Sequence, residues 1–507
     1  MSKKVRVRFA PSPTGGLHLG GVRTVLYNYL FAKAHGGDFI LRIEDTDQTR
    51  FVPGAEQYIM DCLEWCGLVP DESPLVGGPH APYRQSERKS MYKAYADQLI
   101  ASGHAYYAFD TTEDLETMRR DFRRDDNTNP QYDHHTRMLM KNSISLPADE
   151  VNELLDKGTP YVVRIKMPEH TTVSLTDLIR GVIHFDSSLV DDKVLLKADG
   201  MPTYHLAVVV DDYLMQITHA FRGEEWLPSA PVHVLLWKYL GWENQMPLWA
   251  HLPLILKPDG NGKLSKRDGD RLGFPVFAMN WLDPKTGETT GGFREMGFIP
   301  QAFVNMLAML GWNDGTGQEL FTLDELVAKF SMERVHKGGA KFDFEKAKWF
   351  NHQYIQHTDN ATLAGMIAPL INEKATVNGN NLAFLENVIA LVKDRCTLLP
   401  DFWAQGHFFL ETPEIKEMAA IKDKWNDARQ NFFTNWANTL ATTENWNHTD
   451  LEASFNAELP SHGLKKGDVM LPFRIMLVGA KFGPGVFAIA ELIGREETIA
   501  RIQRILA

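Results

Sequence analysis

A glycine-rich turn near the N-terminus has the residue types needed to hold a phosphate. Gly15, Gly16, Gly20 and Gly21 flank His18 in the segment GGLHLGG, between a predicted strand and a predicted helix. Glycines let a phosphate approach the backbone, and the N–H groups and dipole of a helix N-terminus attract its charge. Many glycine-rich turns bind nothing. Two prolines stiffen the entry to this one, and the ring of His18 can face a bound phosphate, so the pattern favours an anion site.

A second loop, far along the chain, has the cations that a triphosphate requires. Lys263, Ser265 and Lys266 lie in the segment KLSKR, about 245 residues after His18 (263 minus 18) and behind a flexible turn at 258–262. Lysines on a mobile loop are point charges that can close over phosphates. A lone KLSK is most often an ordinary surface loop. The glycine-rich hinge and the apolar run that precede it favour a phosphate loop.

The elements around these loops are those of a split nucleotide-binding sheet. Val7 and Phe9 alternate with Arg6 and Arg8 as in a short strand, and helical spacing of apolar residues follows the turn. The apolar run 206–210 favours a buried parallel strand. Strand, turn, helix, insertion, buried strand and phosphate loop then follow in chain order.

A polar segment of different composition interrupts this sheet. Three strand patterns, YVVRIKM, VIHFDSS and VLLKADG, lie in its second half. Earlier in the segment Arg119, Arg120, Arg123 and Arg124 lie close together. They form either the solvated face of a helix, which we favour for most of them, or an RNA-facing surface of an inserted domain.

From residue 300 onward the pattern is almost wholly helical. Segments such as PQAFVNMLAMLGW and NLAFLENVIALVKDRC have 3.6-residue periodicity, and Thr322 with Glu325 forms a predicted capping box. No strand-rich segment is expected there. The preceding segment, 268–297, is expected to be a long loop, and its pattern indicates no function.

Composition limits the class of protein. The chain has 507 residues, so three or four units are expected. Apolar residues make up 44% and charged residues 23%, as in ordinary soluble proteins, and no apolar run could span a membrane. The N-terminus has no apolar signal-peptide core. The net charge of -12 argues weakly against a nucleic-acid partner, but a basic face can lie on an acidic protein.

The three cysteines cannot form a disulfide framework, which favours a reduced, cytoplasmic protein. They are Cys62, Cys66 and Cys396. Cys62 and Cys66 share a helix face, and no CxxC or nearby CxH partner completes a metal site. We therefore expect buried packing there and no structural zinc.

The two loops together resemble the signatures of a known enzyme family. APSPTG followed by HLGG is similar to the HIGH signature of class I aminoacyl-tRNA synthetases, in the form of the glutamyl and glutaminyl enzymes. RIEDTD at 42–47 belongs to the same form, and KLSKR is similar to the KMSKS loop. The helical tail resembles that of bacterial glutamyl enzymes, whereas glutaminyl enzymes and archaeal or eukaryotic glutamyl enzymes end in β-barrels. The resemblance covers essentially the whole chain.

This resemblance implies an architecture. The fold class is an α/β Rossmann-like class I catalytic core with an inserted α+β domain, followed by an all-α C-terminal anticodon-binding domain. The implied segments are the first half of the core (1–107), the inserted acceptor-stem-binding domain (108–200), the second half of the core (201–275), a stem-contact region (276–358) and the anticodon-binding domain (359–507).

The resemblance also implies a reaction in two steps. Glutamate and ATP give glutamyl-adenylate and pyrophosphate, and the glutamyl group then moves to the terminal ribose of tRNA. Attack of a carboxylate on the α-phosphorus needs positioning and charge stabilisation, not a protein nucleophile. His18 and Lys266 are the implied main transition-state contacts, with Lys263 supporting them. Mg²⁺ should accompany the ATP, held largely by phosphate oxygens and water.

The family's binding residues carry over to matching positions of this sequence. The implied ATP-binding residues are Thr14, Gly15, His18, Gly20, Gly21, Glu225, Ile255, Lys263, Ser265 and Lys266. The implied glutamate-binding residues are Arg8, Ala10, Ser12, Glu44, Tyr204 and Arg222. Arg8 and Arg222 would take the γ-carboxylate, which suits a planar guanidinium, and Glu44 would take the α-amino group.

At other positions the sequence does not decide between a role in the site and an ordinary structural role. Asp45 and Asp47 are either a solvated acidic turn or part of the site. Val208 stands where some relatives have an asparagine, and valine cannot hydrogen-bond, so that contact to the amino acid is dropped. Arg395 falls near a position that reads the last anticodon base, although an ordinary surface arginine is equally expected on a helix.

The leading hypothesis is a glutamyl-tRNA synthetase that acts as a monomer on tRNA(Glu) and L-glutamate, away from membranes. A non-discriminating form would also charge tRNA(Gln). A small-molecule nucleotidyltransferase would explain both loops but leave the helical tail without a task. A non-catalytic RNA-binding paralogue would not need intact His18, Lys263 and Lys266.

Overall fold

The computed structural model describes residues 3–124, 129–265, 268–374, 381–422 and 425–506. The chain divides into two compact units. The first is Met1–Glu295 with Phe303–Phe344, and the second is Met296–Ala302 with Glu345–Ala507. The finer division into five segments stays a prediction.

The first unit alternates strands with helices, and the second is helical. The strands are β1 (Arg6–Phe9), β2 (Asp38–Leu41), β3 (Ala105–Ala108), β4 (Val162–Ile165), β5 (Thr172–Asp177), β6 (Gly181–Asp186), β7 (Val194–Leu196), β8 (His219–Gly223), β9 (Leu248–Leu252), β10 (Ile255–Leu256), β11 (Trp281–Leu282), β12 (Thr289–Thr290) and β13 (Ala340–Lys341). The helices up to residue 357 are α1 (Leu19–Ala34), α2 (Ala55–Trp65), α3 (Lys89–Ala101), α4 (Thr112–Asp121), α5 (Ala148–Asp156), α6 (Tyr204–Leu214), α7 (Ala230–Tyr239), α8 (Asp268–Leu272), α9 (Phe293–Met296), α10 (Pro300–Met309), α11 (Leu323–Lys329) and α12 (Phe344–His357). The later helices are α13 (Asn360–Asn372), α14 (Leu382–Val392), α15 (Asp401–Leu410), α16 (Met418–Lys422), α17 (Asp427–Thr442), α18 (His448–Glu458), α19 (Lys466–Val478), α20 (Val486–Ile493) and α21 (Arg495–Leu506).

A six-stranded sheet in the order β2-β1-β8-β9-β5-β6 forms the centre of the first unit. All neighbouring pairs are parallel except β5 and β6, which form an antiparallel hairpin at the edge. The predicted strand β1 is confirmed, and Arg6 and Arg8 are buried along with its apolar residues. Parallel strands are covered on both faces, so no side of β1 is left to solvent.

The candidate site residues follow the carboxyl ends of these parallel strands. The glycine-rich turn follows β1, and Glu44 lies shortly after β2. Glu225 follows β8, and β9 leads to Ile255. In open α/β sheets, ligands bind at this edge because the loops from adjacent strands meet there.

The apolar run 206–210 is not a strand, which corrects the sequence-based prediction. It lies in α6, where every residue from Leu206 to Asp212 is buried. A short, continuous apolar run is compatible with a buried strand or with a buried helix, and periodicity cannot separate them. Here α6 packs against α3, α7 and β7, so it has no solvent face to produce a polar stripe. The next strand of the sheet is β8.

The predicted insertion contributes to two sheets. The patterns YVVRIKM, VIHFDSS and VLLKADG correspond to β4, β6 and β7, which confirms the three predicted strands. β3, β4 and β7 form a separate antiparallel sheet. The β5–β6 hairpin, however, joins the central sheet, with Asp177 of β5 in register with Trp249 of β9.

The segment 268–297 contains regular secondary structure, whereas the sequence predicted a long loop. It includes α8, the β11–β12 hairpin and α9. The backbone N–H of Leu19, at the start of α1, donates to the carbonyl of Val276 at 3.0 Å. This segment therefore packs against the glycine-rich turn.

Among the described residues of the second unit only helical elements occur, in agreement with the predicted helical tail. Its core is rich in aromatic residues and is centred on Trp436, Phe455 and Phe473. The capping box of Thr322 and Glu325, in the first unit, is confirmed. Within the described ranges, no helix has the length and apolar content to cross a membrane.

Candidate active site

His18 caps the helix that begins at the glycine-rich turn. Its backbone is extended, with φ -73° and ψ 154°, and its Nδ1 accepts a hydrogen bond from the N–H of Gly20 at 3.1 Å. Since Nδ1 accepts, the proton of the neutral ring is on Nε2. The turn therefore presents its histidine as a donor at a helix N-terminus, which suits an anion.

Aromatic side chains of the segment 268–297 pack against this turn. A Cβ atom on Gly16 would lie 2.8 Å from the ring of Phe277 and 2.9 Å from that of Trp281. Tyr58 fixes the same segment, because its hydroxyl donates to the carbonyl of Met279 at 2.5 Å. Glycine at position 16 is thus required by close packing.

The second loop is held by ion pairs and hydrogen bonds. Lys263 Nζ lies 2.6 Å from Glu225 Oε1, and both side chains are about half exposed. The backbone N–H and hydroxyl of Ser265 donate to one carboxylate oxygen of Asp268, at 2.9 and 2.5 Å. These bonds from Ser265 hold the pKa of Asp268 well below its usual range. Lys266 lies outside the described residues.

A cleft of about 540 Å³ brings the two loops together with the ends of the central strands. Every implied binding residue that the structure describes in the first unit lines it. They are Arg8, Ala10, Ser12, Thr14, Gly15, His18, Gly20, Gly21, Glu44, Tyr204, Arg222, Glu225, Ile255, Lys263 and Ser265. Val208, the position without the expected amide, lines the cleft too.

One end of the cleft is a buried charge network. Arg8 donates from Nε and Nη2 to the two carboxylate oxygens of Asp212, at 3.0 and 3.1 Å. Arg42 Nη1 lies 2.8 Å from Asp212 Oδ1, and its Nη2 lies 2.9 Å from Glu44 Oε1. All four side chains are nearly inaccessible to solvent. Buried charges persist when they are paired in this way.

Arg222 completes this end of the cleft. Its Nη1 donates to the Tyr204 hydroxyl at 2.9 Å and to His233 Nδ1 at 3.1 Å, and its Nε donates to His251 Nε2 at 3.0 Å. The indole of Trp249 lies 4.6 Å from the guanidinium carbon. Among the described residues, the buried Nη2 has no hydrogen-bond partner. An unpaired buried donor is costly, so Nη2 is a strong candidate for a ligand contact.

Comparisons with known proteins cover the whole chain. A family model for the catalytic domain of "tRNA synthetases class I (E and Q)" matches residues 4–349, and an "Anticodon binding domain" model matches residues 362–506. The glutamate–tRNA ligase of Cytophaga hutchinsonii is 52% identical, over 99% of this chain and 97% of that protein. The glutamate–tRNA ligase of Porphyromonas gingivalis is 51% identical, over 99% of this chain and 98% of that protein. A crystal structure of a glutamate tRNA ligase from Elizabethkingia meningosepticum in complex with its amino acid has a TM-score of 0.94 at 48% identity, covering 99% of both chains.

The chain belongs to the bacterial glutamyl-tRNA synthetases. Its activity is that of a glutamate–tRNA ligase, an aminoacyl-tRNA synthetase of class I. The predicted family, fold class and enzyme class are confirmed, and the family uses ATP. Because the match includes the helical tail, it argues against the nucleotidyltransferase hypothesis, which assigned no function to that tail.

Burial governs the charged groups at the glutamyl-tRNA synthetase's candidate amino-acid end. Burial raises the pKa of Glu44, although Arg42 opposes the rise. Burial also acts to raise the pKa of Asp212, but Arg8 and Arg42 outweigh it and lower the pKa. Burial lowers the pKa of the Arg222 guanidinium. An arriving carboxylate would favour the charged form of Arg222, and an ammonium would favour the charged form of Glu44.

Sequence reasoning missed several residues that complete this synthetase site. Arg42 entered the sequence analysis only as a letter of RIEDTD, and Asp212, two residues after the apolar run 206–210, did not enter it. Two signals were available: a charged residue directly after a buried strand, and an acidic residue continuing an apolar run. His233, His251 and Asp177 gave no comparable local signal.

The remaining candidate residues lie elsewhere in the glutamyl-tRNA synthetase. Arg395 is exposed after α14, in the second unit, and contributes to lowering the pKa of Arg474, which burial lowers most. The arginines at 119, 120, 123 and 124 are exposed, so both interpretations of them stay open. Asp45 accepts from the N–H and hydroxyl of Ser86, at 2.8 and 2.6 Å, and therefore has a structural partner.

Proposed function

We propose that this protein activates L-glutamate with ATP and transfers it to the terminal ribose of tRNA(Glu). An oxygen of the substrate α-carboxylate attacks the α-phosphorus, pyrophosphate leaves, and glutamyl-adenylate forms. A ribose hydroxyl of the tRNA then attacks the activated carbonyl, releasing AMP. The observation that carries the proposal is Arg222 Nη2, a buried donor without a hydrogen-bond partner among the described residues, in a cleft that the glycine-rich turn also lines.

The amino-acid end suits glutamate by charge. Three guanidinium groups and two carboxylates line or support this end: Arg8, Arg42 and Arg222 with Asp212 and Glu44. Glutamate brings two carboxylates and one ammonium. We propose that Arg222, supported by Arg8 and Tyr204, binds the γ-carboxylate, and that Glu44 binds the ammonium. A neutral glutamine side chain would leave Arg222 buried without an anion, which opposes its binding.

The nucleotide end suits a triphosphate. We propose that His18 donates from Nε2 to the phosphates and that the N–H groups of the turn surround them. Lys263 and Lys266 would neutralise charge as pyrophosphate leaves. Glu225 and Ile255 would hold the ribose and adenine. For Glu225 this requires release of Lys263, with which it forms an exposed ion pair.

Mg²⁺ would enter with ATP, bound largely to phosphate oxygens and water. In the proposed complex the phosphate oxygens would lie beside His18 and Lys263 in the cleft, and such hard oxygens are the ligands that Mg²⁺ prefers. When bound, it would neutralise phosphate charge. We also propose that the protein works as a monomer in the cytoplasm, where tRNA and ATP are available, and that Arg395 contacts the anticodon end of the tRNA.

The test is charging of purified tRNA(Glu) and tRNA(Gln) with radiolabelled glutamate, in ATP and Mg²⁺. We expect charging of tRNA(Glu). Additional charging of tRNA(Gln) would identify the non-discriminating form. If the folded protein charged neither tRNA, the proposal would be wrong, and an inactive RNA-binding paralogue would take its place.

A further inference from the structure

Two histidines contact the guanidinium of Arg222, and neither is among the described residues that line the cleft. His251, on β9, accepts from Arg222 Nε through Nε2 at 3.0 Å. His233, on α7, accepts from Arg222 Nη1 through Nδ1 at 3.1 Å. Both rings are almost inaccessible to solvent. Together with Tyr204 they account for every N–H of the guanidinium except the two on Nη2.

These contacts determine which nitrogen of each ring has a proton. Arginine can only donate, so His251 Nε2 must be a bare acceptor and the proton of His251 is on Nδ1. That Nδ1 lies 2.7 Å from Asp177 Oδ2, which accepts it. The same reasoning puts the proton of His233 on Nε2, which lies 3.2 Å from His205 Nδ1. The two histidines are therefore opposite tautomers.

Asp177 anchors this arrangement to the hairpin that joins the central sheet. Its Oδ1 accepts from the N–H groups of Ile179 and Arg180, each at 2.9 Å. Its Oδ2 accepts from the N–H of His251 at 3.0 Å as well as from the ring. With four donors on its oxygens, the carboxylate is fixed, and it fixes the ring of His251 in turn. Asp177 belongs to β5, within the predicted insertion.

We propose that His251 and His233 are positioning residues for Arg222, which hold its Nη2 toward the γ-carboxylate of glutamate. Asp177 fixes the tautomer of His251 and so connects strand β5 of the insertion to the amino-acid end of the cleft. This inference rests on the proposed role of Arg222.

The electrostatics agree with the geometry. Burial lowers the pKa of His233 well below its usual range, and Arg222 lowers it further. Burial also lowers the pKa of His251, with Asp177 opposing and Arg222 adding to the shift. Both rings are therefore neutral at physiological pH, as acceptors from a guanidinium must be.

The ring contacts allow matched amide substitutions. The oxygen of glutamine occupies about the place of a histidine Nε2, and that of asparagine about the place of Nδ1. His251→Gln and His233→Asn therefore keep an acceptor for Arg222, whereas His251→Asn and His233→Gln misplace it. All four variants bury one amide, so their general cost to folding is similar.

The experiment measures aminoacylation kinetics, with KM for glutamate and KM for ATP determined separately, and the thermal midpoint of each variant. We expect His251→Asn and His233→Gln to raise KM for glutamate roughly 10-fold or more, because a hydrogen bond to a charged group is lost. We expect His251→Gln and His233→Asn to stay near the wild-type value. KM for ATP should change little in any of the four.

The variant Arg222→Leu distinguishes an error in the proposed role of Arg222 from an error in the proposed role of the two histidines. If it leaves KM for glutamate unchanged, the proposed role of Arg222 is wrong. If it raises that KM while the two mismatched amides do not, the site stands and the positioning role of the histidines is overturned. Equal increases in both KM values for matched and mismatched amides would also overturn it, since a purely structural defect would do the same.

A second measurement needs no variant. The ¹⁵N chemical shifts of the ring nitrogens, recorded on histidine-labelled wild-type protein at neutral pH, report the tautomers directly. We expect Nδ1–H for His251 and Nε2–H for His233. A protonated ring or the opposite tautomer at either position would overturn the proposal.

Discussion

Lys263 is engaged in a contact that its proposed substrate would have to replace. The ion pair with Glu225 is short, at 2.6 Å, but about half of each side chain is exposed. Exposed pairs contribute little to stability because solvent and salt screen them. A triphosphate in the cleft has several charges and would displace Glu225 from the lysine. The ion pair therefore does not prevent Lys263 from binding a phosphate, as proposed.

His219 is a partly buried histidine outside the candidate site, and its burial predicts how the stability of the protein depends on pH. It lies on β8, with its ring centroid 4.7 Å from that of Phe31 and 5.9 Å from that of Phe221. Burial, with a smaller effect of His35, lowers the pKa of His219 to about 4. The ordinary value is about 6.5, so as the pH falls the unfolded chain binds the proton first. The stability from neutral His219 is present above pH 6.5 and is lost as the pH falls toward 4.

We therefore expect His219→Phe to lose less stability than the wild type between pH 7 and pH 4.5. The difference in free energy of unfolding should be on the order of 1–2 kcal/mol, after allowing for partial solvent screening. Urea titrations at the two pH values measure it. His184→Gln, an exposed substitution on β6, should behave as the wild type. The same pH dependence in His219→Phe would contradict the assignment.

At the scale of elements, the glycine-rich turn depends on the β11–β12 segment behind it. The sequence located the turn correctly because strand, glycines and helix are contiguous in the chain. It gave no function for 268–297, since packing of Phe277 and Trp281 against Gly16 joins residues more than 250 positions apart. That contact makes the segment a structural support for the proposed phosphate site.

Gly16→Ala tests this support. The new methyl group would overlap the rings of Phe277 and Trp281 and displace the turn, so we expect KM for ATP to rise roughly 10-fold. KM for glutamate should change less. Gly291→Ala is the matched control, because nothing lies within 4 Å of the added Cβ there. Combining Gly16→Ala with Phe277→Leu should restore part of the ATP affinity; no recovery would mean that the clash is not the cause.

At the scale of the whole molecule, the chain divides into two units with separate cores. The second unit buries Trp436 completely, with ring centroids 4.8 Å from Phe455 and 4.9 Å from Phe473. The first unit has its own fully buried tryptophan, Trp237 of α7. Each unit therefore has enough apolar core to fold as a separate cooperative body.

Trp436→Ala should destabilise the second unit by about 3–5 kcal/mol, because it leaves a large cavity in a close-packed core. Hydrogen exchange read by mass spectrometry should show lost protection in α13–α21 and retained protection in the central sheet. Trp237→Ala should give the reverse pattern. Lost protection in both units in either variant would mean that the chain unfolds as one body.

The sequence by itself determined the family and the fold class, located the glycine-rich turn and the KLSKR loop, and named about half of the residues that line the cleft. These are local features: motif residues adjacent in the chain lie on one turn or one loop, so their spacing already specifies their geometry. Only the tertiary structure decided that 206–210 is helical, since a run buried on all sides has no periodic polar face. It alone assembled Arg8 with Asp212, and Arg222 with His251 and His233. These partners come from separate strands and helices, and the sheet order that brings them together is not encoded in any one segment.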